Sequence, residues 1–177
     1  GLTDVLGGIG VAGVVPEAPA SNRVPKEVLA SVQPSVLKIS GPACGRVQSG
    51  SGVVVAPRLI ATNAHVVAGS ERLTVAEQGG RGVNAVVVHF DPEQDIAILR
   101  AESLDAPALP TITAAEGSQG SILGFPNGGD LAIQPYEVAS VTTTRARDIY
   151  DEREVKRRII VVGSMIGPGD SGTRHLL

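Results

Sequence analysis

The residues with the clearest chemical potential lie in Gly167-Pro168-Gly169-Asp170-Ser171-Gly172. Glycine permits backbone angles that other residues adopt only at a cost. A serine held among glycines can push its hydroxyl forward, and the amides around it can converge on one point and stabilise an oxyanion. That is the geometry of acyl transfer by a serine. A serine hydroxyl near neutral pH is a poor nucleophile and needs a base to take its proton as it attacks. Histidine suits that task because imidazole titrates near neutrality. The histidine needs a carboxylate to fix its tautomer and stabilise its cation. Two earlier stretches supply such partners, Thr62-Asn63-Ala64-His65 and Asp95-Ile96-Ala97-Ile98-Leu99, so the predicted triad is His65, Asp95, Ser171 in chain order.

Each member has rivals. His89 lies within an apolar strand and reads as structural, and His175 is too close to Ser171 in sequence to serve as its base. Asp91 belongs to an Asp-Pro turn, where a short carboxylate commonly caps its own backbone. Asp170 adjoins the nucleophile and is expected to brace the loop. Asp95 precedes an apolar strand that would hold its carboxylate away from bulk water. The backbone N–H groups of Gly169 and Ser171 are the predicted oxyanion donors; losing one such donor typically costs ~100–1,000-fold in turnover. Taken alone, Gly-Asp-Ser-Gly is also common turn chemistry, and it is the combination with the other two stretches that points to catalysis.

These side chains need a scaffold. The chain has 177 residues, 42% of them hydrophobic, enough for a core in one domain or two small lobes. Abundant Gly and Pro, few aromatics and short Val/Ile runs read as all-β with many turns. Residues 1–32 are expected to be a linker with one short helical turn over Val28 to Val32, its spacer being Pro16-Glu17-Ala18-Pro19-Ala20-Ser21. Strands are predicted at Ser35 to Ile39, Arg46 to Ala56, Leu59 to Thr62, Arg72 to Ala76, Val83 to Phe90 and Ile96 to Arg100. The run Val53-Val54-Val55 predicts burial on both faces, and Asn63 to Val67 a helical turn. Six short strands suit a small closed barrel, which removes sheet edges, over residues 33–101. Residues 102–118 form a crossover. A second lobe over 119–177 is expected to hold about three strands: Ser121 to Phe125, Leu131 to Thr144 interrupted by Pro135, and Val155 to Gly163.

The formal charge of −3 gives no support for nucleic-acid binding. The cluster Lys156-Arg157-Arg158 lies beside Asp151, Glu152 and Glu154 and reads as a solvated hairpin face. No run of eighteen apolar residues suggests a membrane span. The single cysteine, Cys44, cannot pair within this chain. The chain opens without Met and without the basic start of a signal peptide, which predicts that it is cut from something longer.

Together the three stretches resemble the chymotrypsin-like serine proteases. More narrowly, the chain is similar to the membrane-anchored periplasmic serine proteases of actinobacteria, the MarP type, through Pro34-Ser35-Val36-Leu37-Lys38-Ile39, Thr62-Asn63-Ala64-His65-Val66-Val67-Ala68-Gly69, Leu123-Gly124-Phe125-Pro126 and Asp148-Ile149-Tyr150. The resemblance covers roughly residues 22 to 172. It implies two six-stranded barrels with the site in the cleft between them, and hydrolysis of a polypeptide substrate through an acyl-enzyme, with no metal or cofactor. It also implies a stress-response setting outside the inner membrane, below an upstream bundle of membrane helices. The family pattern continues Gly-Asp-Ser-Gly-Gly-Pro into a strand, whereas this sequence has Thr173-Arg174-His175-Leu176-Leu177. The second barrel is therefore expected to be incomplete, and the partner that the resemblance implies for Cys44, near a family C-terminus, to be missing. Two other readings remain: an HtrA-like quality-control protease, or a non-catalytic barrel acting as a binding module.

Overall fold

The computed structural model describes residues 23–43 and 45–164, with Pro19 and Ser21 besides. Helix α1 (Lys26–Val32) and a 3-10 turn (Gln33–Ser35) lead into strand β1 (Val36–Ala43). The chain continues through β2 (Arg46–Ala56), β3 (Leu59–Thr62), the short helix α2 (Ala64–Val67), β4 (Leu73–Ala76), β5 (Val83–Asp91) and β6 (Ile96–Arg100). These six strands close into an antiparallel barrel in the order β1-β2-β3-β6-β5-β4. The barrel interior is filled by Leu37, Ile39, Val54, Ile60, Val75 and Leu99, all fully buried. Gly52 lets this filling close up. A Cβ there would stand 2.7 Å from both Ile39 Cδ1 and Ile60 Cγ2, a distance no ordinary contact reaches.

Two strand details differ from expectation. β1 runs on through Gly41-Pro42-Ala43, where a loop was predicted. Pro42 lacks an N–H, but β4 pairs only with Lys38, Ile39 and Ser40, so no ladder on that side is broken. Of the Val53-Val54-Val55 run only Val54 is fully buried. The outer face is covered in part by the crossover, whose Leu109 N–H donates to the Val54 carbonyl at 2.9 Å.

The second lobe is an antiparallel sheet, β7-β8-β9, made of β7 (Gln119–Gly124), β8 (Ala132–Arg147) and β9 (Glu154–Ser164). Pro135 does not interrupt β8. It pairs with Ser121 of β7, and among the described residues the β9 ladder reaches Tyr136. Among the described residues β7 and β9 each have one neighbouring strand. The fold is therefore mostly β, with a closed six-stranded barrel and a partial second sheet.

Sheet and barrel are tied at two ends. At one, Phe125 is buried and its N–H donates to Ser51 Oγ of β2 at 2.8 Å. At the other, the turn between β8 and β9 rests on the turn between β5 and β6, where the Ile149 N–H donates to the Pro92 carbonyl at 3.2 Å. Asp148 makes the first of these turns rigid. Its buried carboxylate accepts the N–H groups of Tyr150 at 3.1 Å and Glu152 at 2.9 Å. The side chain of Ile149 packs against the barrel core. No helix among the described residues is long and apolar enough to cross a membrane, which says nothing of spans outside them.

Candidate active site

α2 begins where β3 ends, and its residues divide by face. Ala64, Val66 and Val67 are buried, while the His65 side chain keeps 38% of its surface exposed. A polar ring is thus presented from a helix anchored by its apolar neighbours. The helix is held from behind by the Gln48 side-chain amide of β2, which donates to the His65 carbonyl. Thr62 Oγ1 donates to the Ser51 carbonyl at 2.8 Å and fixes the last residue of β3.

Asp95 sits at the mouth of β6 and is 6% exposed. Its φ of 58° lies in the left-handed region, where aspartate is among the better tolerated non-glycine residues. That conformation turns its carboxylate toward α2. Oδ2 lies 2.8 Å and Oδ1 3.0 Å from His65 Nδ1, and Oδ1 also accepts the backbone N–H of His65 at 2.9 Å. One residue therefore supplies both a main-chain and a ring donor. A carboxylate accepts only, so Nδ1 carries the proton, and Nε2 is the ring nitrogen left to accept another.

Burial alone would raise the Asp95 carboxyl. The hydrogen bonds from the His65 ring and backbone, with the Arg157 guanidinium adding to them, outweigh it and hold the group below the usual aspartate range. The carboxylate is thus kept ionised beside the imidazole, as stabilising an imidazolium requires.

Asn63 adds a contact that reading by residue type did not assign. It occupies the position before α2 but makes no side-chain cap of the helix. Its amide instead donates to the Asp95 carbonyl at 3.2 Å and to Oδ2 at 3.4 Å. An asparagine immediately before a helical turn normally signals a cap, so only the fold reveals the use it has here.

Asp91 lies apart from the pair. Its Oδ1 accepts the N–H groups of Glu93 at 3.0 Å and Gln94 at 2.9 Å, closing the turn that delivers Asp95. His89 is exposed on β5, so the apolar strand around it does not bury it. Arg157 corrects the reading of its cluster as a solvated face. Lys156 and Arg158 are exposed, but Arg157 is half-buried and donates through Nε to the Glu93 carbonyl at 2.6 Å. The predicted nucleophile Ser171 and oxyanion donor Gly169, and the rivals Asp170 and His175, lie outside the described residues, as does Cys44. Among the described residues no group of three or more His, Cys, Asp or Glu side chains could hold a metal ion.

The family described as trypsin-like peptidase domain matches residues 50–173, a span that includes His65, Asp95 and Ser171. The serine protease Rv3671c of Mycobacterium tuberculosis is 37% identical over 180 residues, covering 97% of this chain and 45% of that protein. A probable DegP-like periplasmic serine endoprotease of Halomonas elongata is 32% identical over 130 residues, covering 70% of this chain and 26% of that protein. The chain thus spans less than half the length of these relatives. The crystal structure of the M. tuberculosis Rv3671c protease in its active form superposes with a TM-score of 0.76 at 33% identity, covering 90% of this chain and 74% of that one. A serine endoprotease from Yersinia pestis, at 21% identity and a TM-score of 0.61, shares the fold.

Proposed function

Because the chain belongs to the trypsin-like peptidase domain family, we propose that it carries the catalytic centre of a serine endopeptidase in which His65, Asp95 and Ser171 act as a triad. The observation that carries this reading is the buried Asp95 carboxylate bound at 2.8 Å to His65 Nδ1, which leaves Nε2 to act as base. Ser171 Oγ attacks the scissile carbonyl carbon as Nε2 takes its proton. The backbone N–H groups of Gly169 and Ser171 receive the oxyanion. Collapse of the tetrahedral intermediate expels the amine, which takes the proton from the imidazolium and leaves an acyl-enzyme. Water, deprotonated by the same nitrogen, then releases the acid and restores Ser171. Every bond and proton is accounted for without a metal or cofactor.

The substrate in this reading is a polypeptide, and the formal charge of −3 gives no support for a nucleic-acid partner. The place of action is the cell envelope, on the extracytoplasmic side, in a parent anchored by upstream helices. The periplasmic relative in H. elongata supports the extracytoplasmic location. An HtrA-like quality-control role is the weaker alternative, because the likeness to bovine mitochondrial HTRA2 covers 80% of the chain and that to the DegP-like protease 70%, against 97% for the M. tuberculosis protease. A binding module with no hydrolytic activity would leave the proton-relay geometry of His65 and Asp95 without a use.

A fluorophosphonate probe applied to the protein at its natural full length tests the assignment. Labelling is expected at Ser171. His65→Ala, Asp95→Ala and Ser171→Ala are each expected to remove most turnover, ~10,000-fold or more, while circular dichroism stays unchanged. Activity should rise with pH across roughly pH 5 to 8, because a protonated ring cannot accept the serine's proton. A folded protein that takes no label, or a flat pH profile, refutes the triad.

A further inference from the structure

We propose that Arg157 of β9 is a positioning residue for Asp95, clamping the β5–β6 turn so that the second sheet holds the carboxylate of the first barrel. The inference rests on the triad assigned above. The guanidinium reaches two successive carbonyls of that turn, Glu93 through Nε at 2.6 Å and Pro92 through Nη2 at 3.4 Å. A planar fork of fixed donors can grip two acceptors at once, which a single ammonium cannot do in the same way. The partners of Arg157 are main-chain oxygens rather than a carboxylate, so its charge is not neutralised by the contacts it makes.

Other contacts converge on the same turn. Gln94 Nε2 donates to the Lys156 carbonyl at 3.4 Å, Arg153 pairs with the Glu93 carboxylate at 3.4 Å, and the Ile149 N–H reaches the Pro92 carbonyl. The turn needs such support. It ends in Asp95 at positive φ, and a non-glycine residue persists there only where its surroundings over-determine it. The barrel closes the turn on one side through Asp91, and β9 closes it on the other. Nearby, Arg147 pairs with Asp151, Arg145 with Glu154 and Arg153 with the Glu93 side chain, whereas Arg157 grips the main chain of the Asp95 turn.

The groups bearing on Asp95 are the His65 ring from α2 and the Arg157 guanidinium from β9. Asp91 is committed to the N–H groups of Glu93 and Gln94, and Glu93 faces Arg153. Removing Arg157 therefore takes away a cation while the burial of Asp95 stays, and Asp95 must then titrate at higher pH.

The test compares Arg157→Met and Arg157→Lys with Arg158→Met, the exposed neighbour, at full length. Fluorophosphonate labelling of Ser171, kcat and KM for a peptide substrate, and the downfield His65 Nδ1 proton in NMR are followed into the acid range. Arg157→Met is expected to slow labelling by roughly 10-fold through kcat rather than KM, a smaller loss than the ~100-fold of a full 1 Å misplacement. Its Nδ1 proton should be lost at higher pH than in the parent. Arg157→Lys should restore the acid titration, because it restores the charge, while labelling stays slow, because the two-carbonyl grip is gone. Labelling and titration in Arg157→Met that match Arg158→Met overturn the inference. If Arg157→Met does not fold, Arg157→Lys decides, and parental labelling in it overturns the clamp. A parent that takes no label at Ser171 refutes the triad instead, and the NMR titration still judges Arg157 by itself.

Discussion

Replacing Gly50 by alanine tests how α2 is seated. Gly50 lies on β2 opposite Ile39. A Cβ built there would stand 2.6 Å from both γ-methyl groups of Val66 and 3.2 Å from its Cβ. Carbon atoms settle at about 3.5 Å or more, so the shortfall is roughly 1 Å. Val66 cannot turn aside. A β-branched side chain in a helix has one strongly preferred χ1 rotamer, and both of its methyls face the intruder. The helix must therefore move, and His65 moves with it. Overpacking of this kind costs ~1–3 kcal/mol. Against this, replacing glycine stiffens the unfolded chain and returns ~0.4–1 kcal/mol, leaving a net loss of about 1–2 kcal/mol. The effect on chemistry should be larger, since a 1 Å misplacement can cost ~100-fold. Urea unfolding reads the first quantity and fluorophosphonate labelling the second. Val66→Ala in the same chain removes both methyls, so Gly50→Ala should cost less in that background than alone. Parental stability together with parental labelling in Gly50→Ala would show that α2 does not rest on β2 as described.

Asn63→Ala removes the donor to the Asp95 carbonyl and carboxylate; a loss of ~1.5–3 kcal/mol is expected, the range for hydrogen bonds to charged groups, measured by urea unfolding, and a loss below ~0.5 kcal/mol would refute the role. The pH dependence of stability follows from the sign of the Asp95 shift. Its folded value lies below the unfolded one, so its contribution is present above about pH 3.9 and is lost as pH falls through the folded value. Asp148 shifts in the same direction, led by the Glu152 backbone hydrogen bond. Asp95→Asn should therefore flatten the acid limb of the unfolding free energy only in part. A limb as steep as the parent's would refute the assignment.

Strand positions were largely legible because alternation and turn chemistry act locally. β2, β3 and β6 fall where the sequence predicts them. The errors arise where a neighbour decides. Whether Pro42 ends a strand depends on how far β4 extends alongside it, and whether Pro135 interrupts one depends on the pairing of β8 with β7, where Pro135 lies opposite Ser121. His89 sits among valines, yet Val86, Val87 and Val88 are themselves exposed, so apolar neighbours in sequence did not mean burial. The pairing of His65 with Asp95 was legible because a histidine and a carboxylate in that order suggest such a contact. Asn63 and Arg157 were not, because their roles consist of contacts across 32 and 64 residues of chain. The nearest available signal was an asparagine at a cap position, which misleads, and a basic cluster beside acids read as a solvated face, which describes Lys156 and Arg158 but not Arg157.

These contacts explain why different perturbations should differ in size. Asp95 is held from two directions. From the barrel, Asn63 fixes its backbone and His65 its carboxylate through two donors on one residue. From the sheet, Arg157 fixes the turn behind it. Moving α2 displaces both His65 donors at once, and among the described residues no other ring contacts Asp95; hence the large effect expected of Gly50→Ala. Removing Arg157 loosens the approach of Asp95 but leaves Asn63 and both His65 donors in place, so part of the population keeps a productive geometry and the loss is smaller. The order of the two effects therefore follows from the contacts: the pair is built within the barrel, and the sheet narrows the range over which it can stray.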